Sequence, residues 1–164
     1  MSFSHLLGCS TITFRRLPLP DALTVINELG FTEIDLGALP GVCDHVPYVL
    51  DPAAVQQVAG QVAASGLAVR SVNGDVGDLN RLLSPDERAG RDQHLEQLLT
   101  LTAAVGAEAL VLPNGALAHE PVHDLEADLA LVAAELTAAA QRAADHGVEL
   151  WVESLHLFRL CHSL

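Results

Sequence analysis

The chain is predicted to be an α/β fold of five parallel strands alternating with four helices, (βα)4β, and three observations carry that prediction. Short apolar runs alternate with longer segments whose apolar residues recur at steps of three and four. Glycines at 30, 66, 106 and 147 each end a helical pattern just before the next apolar run. Strands recur roughly every 27 to 40 residues, the size of a βα unit. Two architectures contain this pattern: an open, doubly wound parallel sheet of five strands, or the first half of a (β/α)8 barrel. Periodicity does not choose between them. Length favours the open sheet, because a full barrel typically needs about 250 residues.

The first strand is expected at His5–Ile12. Pro20 then suits a first helical turn, Leu23, Val25, Ile26 and Leu29 supply a buried face, and the second strand follows as Glu33–Gly37. Ala38–Leu50, rich in Pro, Gly and His, lacks periodicity and reads as a long loop of the kind that often carries function. Asp51 is placed to cap a second helix with Pro52 at its first position, and Val55, Val58 and Val62 line one side of it. Leu67–Asn73 is the third strand. Ser84-Pro-Asp-Glu87 has the form of a capping box, and Leu95, Leu98, Leu99, Thr102 and Val105 continue the third helix. Ala109–Pro113 is the fourth strand. The fourth helix shows the clearest stripe, Leu125, Leu129, Val132, Leu136, Ala140 and Ala143, and leads to the fifth strand, Gly147–Glu153. A single domain over residues 1–164 is expected.

Half of the residues are hydrophobic, so the chain can bury a sizeable core. A formal net charge of −13 repels polyanions and argues against direct nucleic-acid binding. All eight basic residues are arginine, which excludes Schiff-base lysines and the phosphate lysine of a P-loop. Cys9, Cys43 and Cys161 have no CxxC spacing, no segment reaches the ~18 to 20 apolar residues of a membrane span, and the start lacks a basic leader. A soluble, cytoplasmic protein with reduced thiols and no membrane partner is the expectation.

The polar residues with chemical potential fall inside or just after the strands' carboxyl ends: Thr11, Thr13, Asp35, Asn73, Asp75, Asn114, Glu153 and His156. In a barrel they would converge on one mouth. Taken singly, Thr11, Asn73, Asp75 and Asn114 are ordinary turn and cap formers, and Asp35 could simply satisfy nearby backbone. His45 reads as a solvated loop residue, His119 and His123 lack the helical context that would make their spacing a metal pair, and the acidic residues of the fourth helix read as a solvated face. No GxGxxG or GxSxG pattern is present, so neither a dinucleotide site nor a serine nucleophile elbow is supported. A divalent cation bound by Glu153 could polarise the hydroxyl and carbonyl oxygens of a sugar and acidify the carbon-bound proton between them. Such a site needs three or more ligands, and Glu153 is one.

Four segments, Leu6-Leu-Gly-Cys-Ser-Thr11, Ala22–Leu36, Ala103–Pro113 and Gly147–His156, resemble the xylose isomerase-like barrel superfamily of sugar and sugar-phosphate isomerases and epimerases, inosose dehydratases and the endonuclease IV group. The resemblance covers nearly the whole chain, as the N-terminal half of that barrel. It implies that Glu153 occupies the position of the family's fifth-strand glutamate, a ligand of Mn²⁺, Mg²⁺, Co²⁺ or Zn²⁺ that often also serves as acid/base group. His156 resembles the Asn or His often found three residues after that glutamate, and His156, Asn73 and Asn114 are expected to bind substrate. Pro113-Asn-Gly115 stands where the endonuclease IV group places a metal-binding histidine, which argues against DNA repair. The implied function is a metal-dependent sugar, sugar-phosphate or inositol-derivative isomerase or epimerase, truncated and of little or no activity as this chain, its exposed half-barrel edge favouring homo-oligomers. The competing expectations are a non-catalytic, doubly wound binding domain complete at this length, and a degenerate half barrel retained as a partner subunit.

Overall fold

The structure is a computed structural model and describes residues 7–114 and 121–153. Strand β1 is short, Cys9–Ser10, and a 3-10 helix, Thr11–Phe14, follows it directly. The remaining order is α1 (Leu19–Glu28), β2 (Glu33–Ala38), α2 (Pro52–Ser65), β3 (Ala68–Gly74), α3 (Pro85–Ala104), β4 (Ala109–Pro113), α4 (Leu125–Asp145) and β5 (Glu149–Glu153). The five strands are all parallel and lie in the order β1-β2-β3-β4-β5.

Strand order decides between the two expected architectures. A doubly wound sheet reverses direction at a switch point and carries helices on both faces. Here each strand is followed in space by its successor, and α1 packs on α2, α2 on α3 and α3 on α4. That is barrel winding, so the doubly wound alternative is corrected; the sheet is not closed.

One face of the sheet is apolar and lies under the helices. Ile34, Leu36 and Ala38 of β2, Val69 and Val72 of β3, and Leu110 and Leu112 of β4 join Leu23, Ile26, Val58, Val62, Leu98 and Leu99 in one continuous core. Each such side chain contributes on the order of 1.5–3 kcal/mol on burial. The opposite, concave face receives the alternate residues of each strand.

The phase of that alternation changes once. Ile34 pairs with Val69, but Asp35 pairs with Ser71, leaving Arg70 as an extra residue on β3. Plain alternation from Val69 would send Ser71 and Asn73 under the helices. The extra residue instead aligns Ser71 with Asp35 and Asn73 with Gly37. Arg70 itself pairs with Glu108 at 2.7 Å and lies over the Trp151 ring.

The first strand is shorter than expected, and its expected start at His5 and Leu6 lies outside the described residues. At Thr11 the chain turns because the Thr11 hydroxyl accepts the amide of Gly37 at 2.9 Å, drawing the segment down onto β2. A Cβ at residue 37 would meet Ile12 Cγ1 at 2.8 Å and Cys43 Sγ at 2.9 Å, so only glycine permits this approach. The other helix boundaries follow their predicted signals. Asp51 caps α2 through the amide of Ala54, and Ser84 and Glu87 form the reciprocal capping box of α3.

Helix α4 follows its predicted stripe only in part, with Val132 and Ala143 buried as expected. Its buried positions are Asp128, Val132, Ala139 and Ala143, whereas Leu125 and Leu129 are each 49% exposed. Ion pairs join it to α3: Glu135 binds Arg88 and Arg91 at 2.9 and 2.7 Å, and Arg142 binds Asp92 at 2.9 Å. Val152 of β5, the strand that follows α4, is also 45% exposed.

The acidic face of α4 is not wholly solvated either. Asp128 is fully buried and accepts from Asn80 Nδ2 (2.8 Å), the amides of Val122 (2.9 Å) and His123 (3.1 Å), and His123 Nδ1 (2.9 Å). His123 is thus a partner of Asp128, and His119 lies outside the described residues. Burial alone would push the Asp128 carboxyl up, but donation from Asn80, His123 and the Val122 and His123 amides outweighs it and holds the pKa at about 2. This carboxylate ties the segment after β3 to the segment before α4. Its contribution to stability is complete above the ordinary carboxylate range and is lost as pH falls through about 2. Asp128→Asn is expected to cost about 1–3 kcal/mol at pH 7 by urea unfolding, with the difference from the parent narrowing as the pH is lowered toward 2.

Candidate functional site

Parallel strands in sequential order bring all their carboxyl ends to one edge, and the concave face beneath that edge is polar. Ser10, Asp35 and Ser71 stand level on three neighbouring strands. The Asp35 carboxylate accepts the Ser10 hydroxyl at Oδ2 (3.0 Å) and the Ser71 hydroxyl at Oδ1 (2.6 Å), so both its oxygens are engaged. Higher on the same face, Asn73 Nδ2 donates to Glu153 Oε2 at 3.4 Å. These two residues are separated by β4, and a flat sheet would set their strands about 9.5 Å apart. Curvature of the sheet and the reach of the two side chains bring them together.

Above these carboxylates opens a cleft of about 740 Å³, a size suited to a small-molecule ligand. Its walls include Ser10, Thr13, Asp35, Asn73 and Glu153, together with Arg15 and Arg16 from the segment after β1. That segment is anchored from the loop after β2. His45, read from the sequence as solvated, is only 6% exposed, and its Nε2 lies 3.0 Å from the carbonyl of Leu17. A carbonyl only accepts, so Nε2 carries the hydrogen and Nδ1 accepts the Cys43 thiol at 3.2 Å. Burial pushes the Cys43 thiol up, more than its hydrogen bonds bring it down, and keeps it a thiol donor.

The residues singled out from the sequence therefore divide. Asp35, Asn73, Glu153 and Thr13 meet at the cleft. Thr11 is fully buried and structural, and Asp75 accepts the amide of Gly77 at 2.7 Å as a turn former. Asn114 directly follows β4 and does not figure among the cleft's described lining residues. His156 lies outside the described residues. Sequence reasoning missed Ser10, Ser71, Arg15 and Arg16. The serines show as polar residues in otherwise apolar strands. The arginines gave no signal, because the expected longer first strand obscured the 3-10 turn that presents them.

Among the described residues, no group of three or more His, Cys, Asp or Glu is placed to hold a metal ion. Asp35 is committed to two hydroxyls, which leaves Glu153 as the candidate ligand in the cleft. One carboxylate does not make a divalent-cation site, so the described residues do not by themselves fit the cofactor the resemblance implies. Among the described residues, too, no helix is long and apolar enough to cross a membrane.

A strand-end cleft on a sequentially wound parallel sheet is the arrangement of barrel enzymes, and the family comparison agrees. The family model described as xylose isomerase-like TIM barrel matches residues 23–162, and the chain belongs to that family. Similar solved structures include 3-keto-D-glucoside 4-epimerase from E. coli (20% identity, TM-score 0.68, 92% of this chain and 56% of that one). An L-ribulose 3-epimerase (22%, TM-score 0.66, 93% and 50%) and a D-psicose 3-epimerase determined in the presence of D-fructose (17%, TM-score 0.70, 96% and 54%) are also similar. The chain thus spans about half the length of these structures. No curated protein matches it.

Replacing Asp35 by Ala leaves the Ser10 and Ser71 hydroxyls without their shared acceptor. Denaturant unfolding is expected to register a loss of about 1–3 kcal/mol; an unchanged midpoint would show that water replaces the carboxylate at no cost.

Proposed function

We propose that the chain contributes the Glu153 side of a divalent-metal-dependent sugar isomerase or epimerase site that moves a proton on an α-hydroxy carbonyl. The observation that carries this reading is the approach of Asn73 to Glu153 across the concave face, at the rim of a cleft of sugar-binding size. Family membership and the sugar epimerases among the similar structures support it.

In this reading Glu153 accepts a carbon-bound proton, and the Asn73 amide holds the Glu153 carboxylate in position. Delivery of that proton to the neighbouring carbon completes an isomerisation, whereas an epimerisation needs a second acid, from beyond the described residues, on the opposite face. Asn114 and His156 contact substrate. Mn²⁺, Mg²⁺, Co²⁺ or Zn²⁺, when bound, would polarise the carbonyl; its further ligands would have to come from beyond the described residues. A cytoplasmic setting with free thiols suits this reading. Metal analysis of the chain and of Glu153→Ala after equilibration with Mn²⁺ is the test. Occupancy is expected to fall in the variant, and unchanged occupancy would remove Glu153 from the metal site.

Self-association through the α4–β5 margin belongs to the same proposal. Leu125, Leu129 and Val152 expose apolar surface, and among the described residues no strand pairs with the outer edge of β5, which supports pairing with a second copy. Sedimentation is expected to show dimers or larger species that Leu129→Glu weakens. A stable monomer at tens of micromolar would sink this part of the proposal.

A further inference from the structure

Arginine is the only basic residue type besides histidine in this acidic chain, and its distribution is uneven. Among the described residues, Arg70, Arg81, Arg88, Arg91 and Arg142 are each held in an ion pair with a carboxylate. Arg15 and Arg16 make none, and both line the cleft. Neither carboxylate of the cleft forms an ion pair with them. Asp35 accepts instead from the Ser10 and Ser71 hydroxyls, and Glu153 from the Asn73 amide.

Their backbone is nevertheless well held. The amide of Arg15 donates to the Ile12 carbonyl, that of Leu17 donates to the Phe14 carbonyl, and the Leu17 carbonyl accepts His45. The backbone that carries these two exposed side chains is thus held at the wall of the cleft. In a chain of net charge −13, general electrostatics repel anions, so attraction there depends on these two groups.

We propose that Arg15 and Arg16 form an anion-recognition site, and that the substrate is a sugar bearing a phosphate or carboxylate group. This rests on the sugar-isomerase reading above and narrows it. The planar guanidinium donates paired hydrogen bonds to either oxyanion, and two such groups match a dianion best. The anionic group anchors one end of the sugar while its carbonyl end lies toward Glu153.

The test is calorimetric titration of the 164-residue chain at low ionic strength with inorganic phosphate, D-fructose 6-phosphate, D-gluconate and D-fructose. Fructose 6-phosphate is expected to bind at least about tenfold more tightly than fructose, with the preference shrinking as salt is added. Arg15→Gln/Arg16→Gln should abolish the preference, and each single variant should reduce it. Both side chains are exposed, so the variants should keep the parent's circular dichroism and melting temperature. Arg81→Gln, which alters an exposed pair outside this cleft, should bind phosphate like the parent. Gluconate binding as well as fructose 6-phosphate would assign the carboxylate class, and binding like fructose would assign the phosphate class. Equal affinity for fructose and fructose 6-phosphate, or a preference that survives the double variant or is lost equally in Arg81→Gln, overturns the proposal. Glu153→Gln should retain the anion preference, so failure of the proton-transfer reading is separable from failure of this one.

Discussion

Everything in this molecule depends on parallel pairing of each strand with its predecessor, under helices that cover one face. Parallel strands need long crossovers, and a helix burying its apolar side against the sheet is the economical crossover. Because the direction of winding never reverses, each βα unit adds its strand on the same side as the one before. All strand carboxyl ends then meet one edge, and residues as distant in sequence as Asn73 and Glu153 come into contact.

The two faces of the sheet carry opposite demands. The helix-facing side is continuous Ile, Leu and Val packing, which tolerates little change in volume. The concave side carries serines, asparagine and carboxylates whose hydrogen bonds run between strands. Asp35 joins β1, β2 and β3 through two hydroxyls and so supports the floor of the cleft. At the periphery, buried Asp128 fastens the segment after β3 to the start of α4, on the side of the sheet where the cleft opens. Rigid loops around an open cleft are what a site of oriented polar groups requires.

Local signals were legible wherever a short stretch of chain determines the outcome. The capping box at Ser84 and Glu87, the Asp51 cap and the left-handed Gly66 all act within a few residues, and each appears where expected. Signals that depend on a distant partner failed. The stripe of α4 marked Val132 and Ala143 correctly as buried but not Leu125 and Leu129, which stay exposed while Asp128 is buried by partners from the segments after β3 and before α4. His45 gave no hint of burial, because its partners Leu17 and Cys43 are defined only when two loops meet.

The candidate site divides the same way. From the sequence alone came the five strands, the four helices, and the position of Asp35, Asn73 and Glu153 within or at the ends of strands, because periodicity and caps are local properties of the backbone. Periodicity left barrel winding and a doubly wound sheet both open and the family resemblance pointed to the barrel, but only the tertiary structure decided it, since strand order is set by packing between units and leaves no periodic trace. The extra residue at Arg70, which turns Ser71 and Asn73 onto the concave face, also came only from tertiary structure. The seating of Arg15 and Arg16 likewise required Gly37 to lie beneath Ile12, a contact between neighbouring strands that no local pattern encodes.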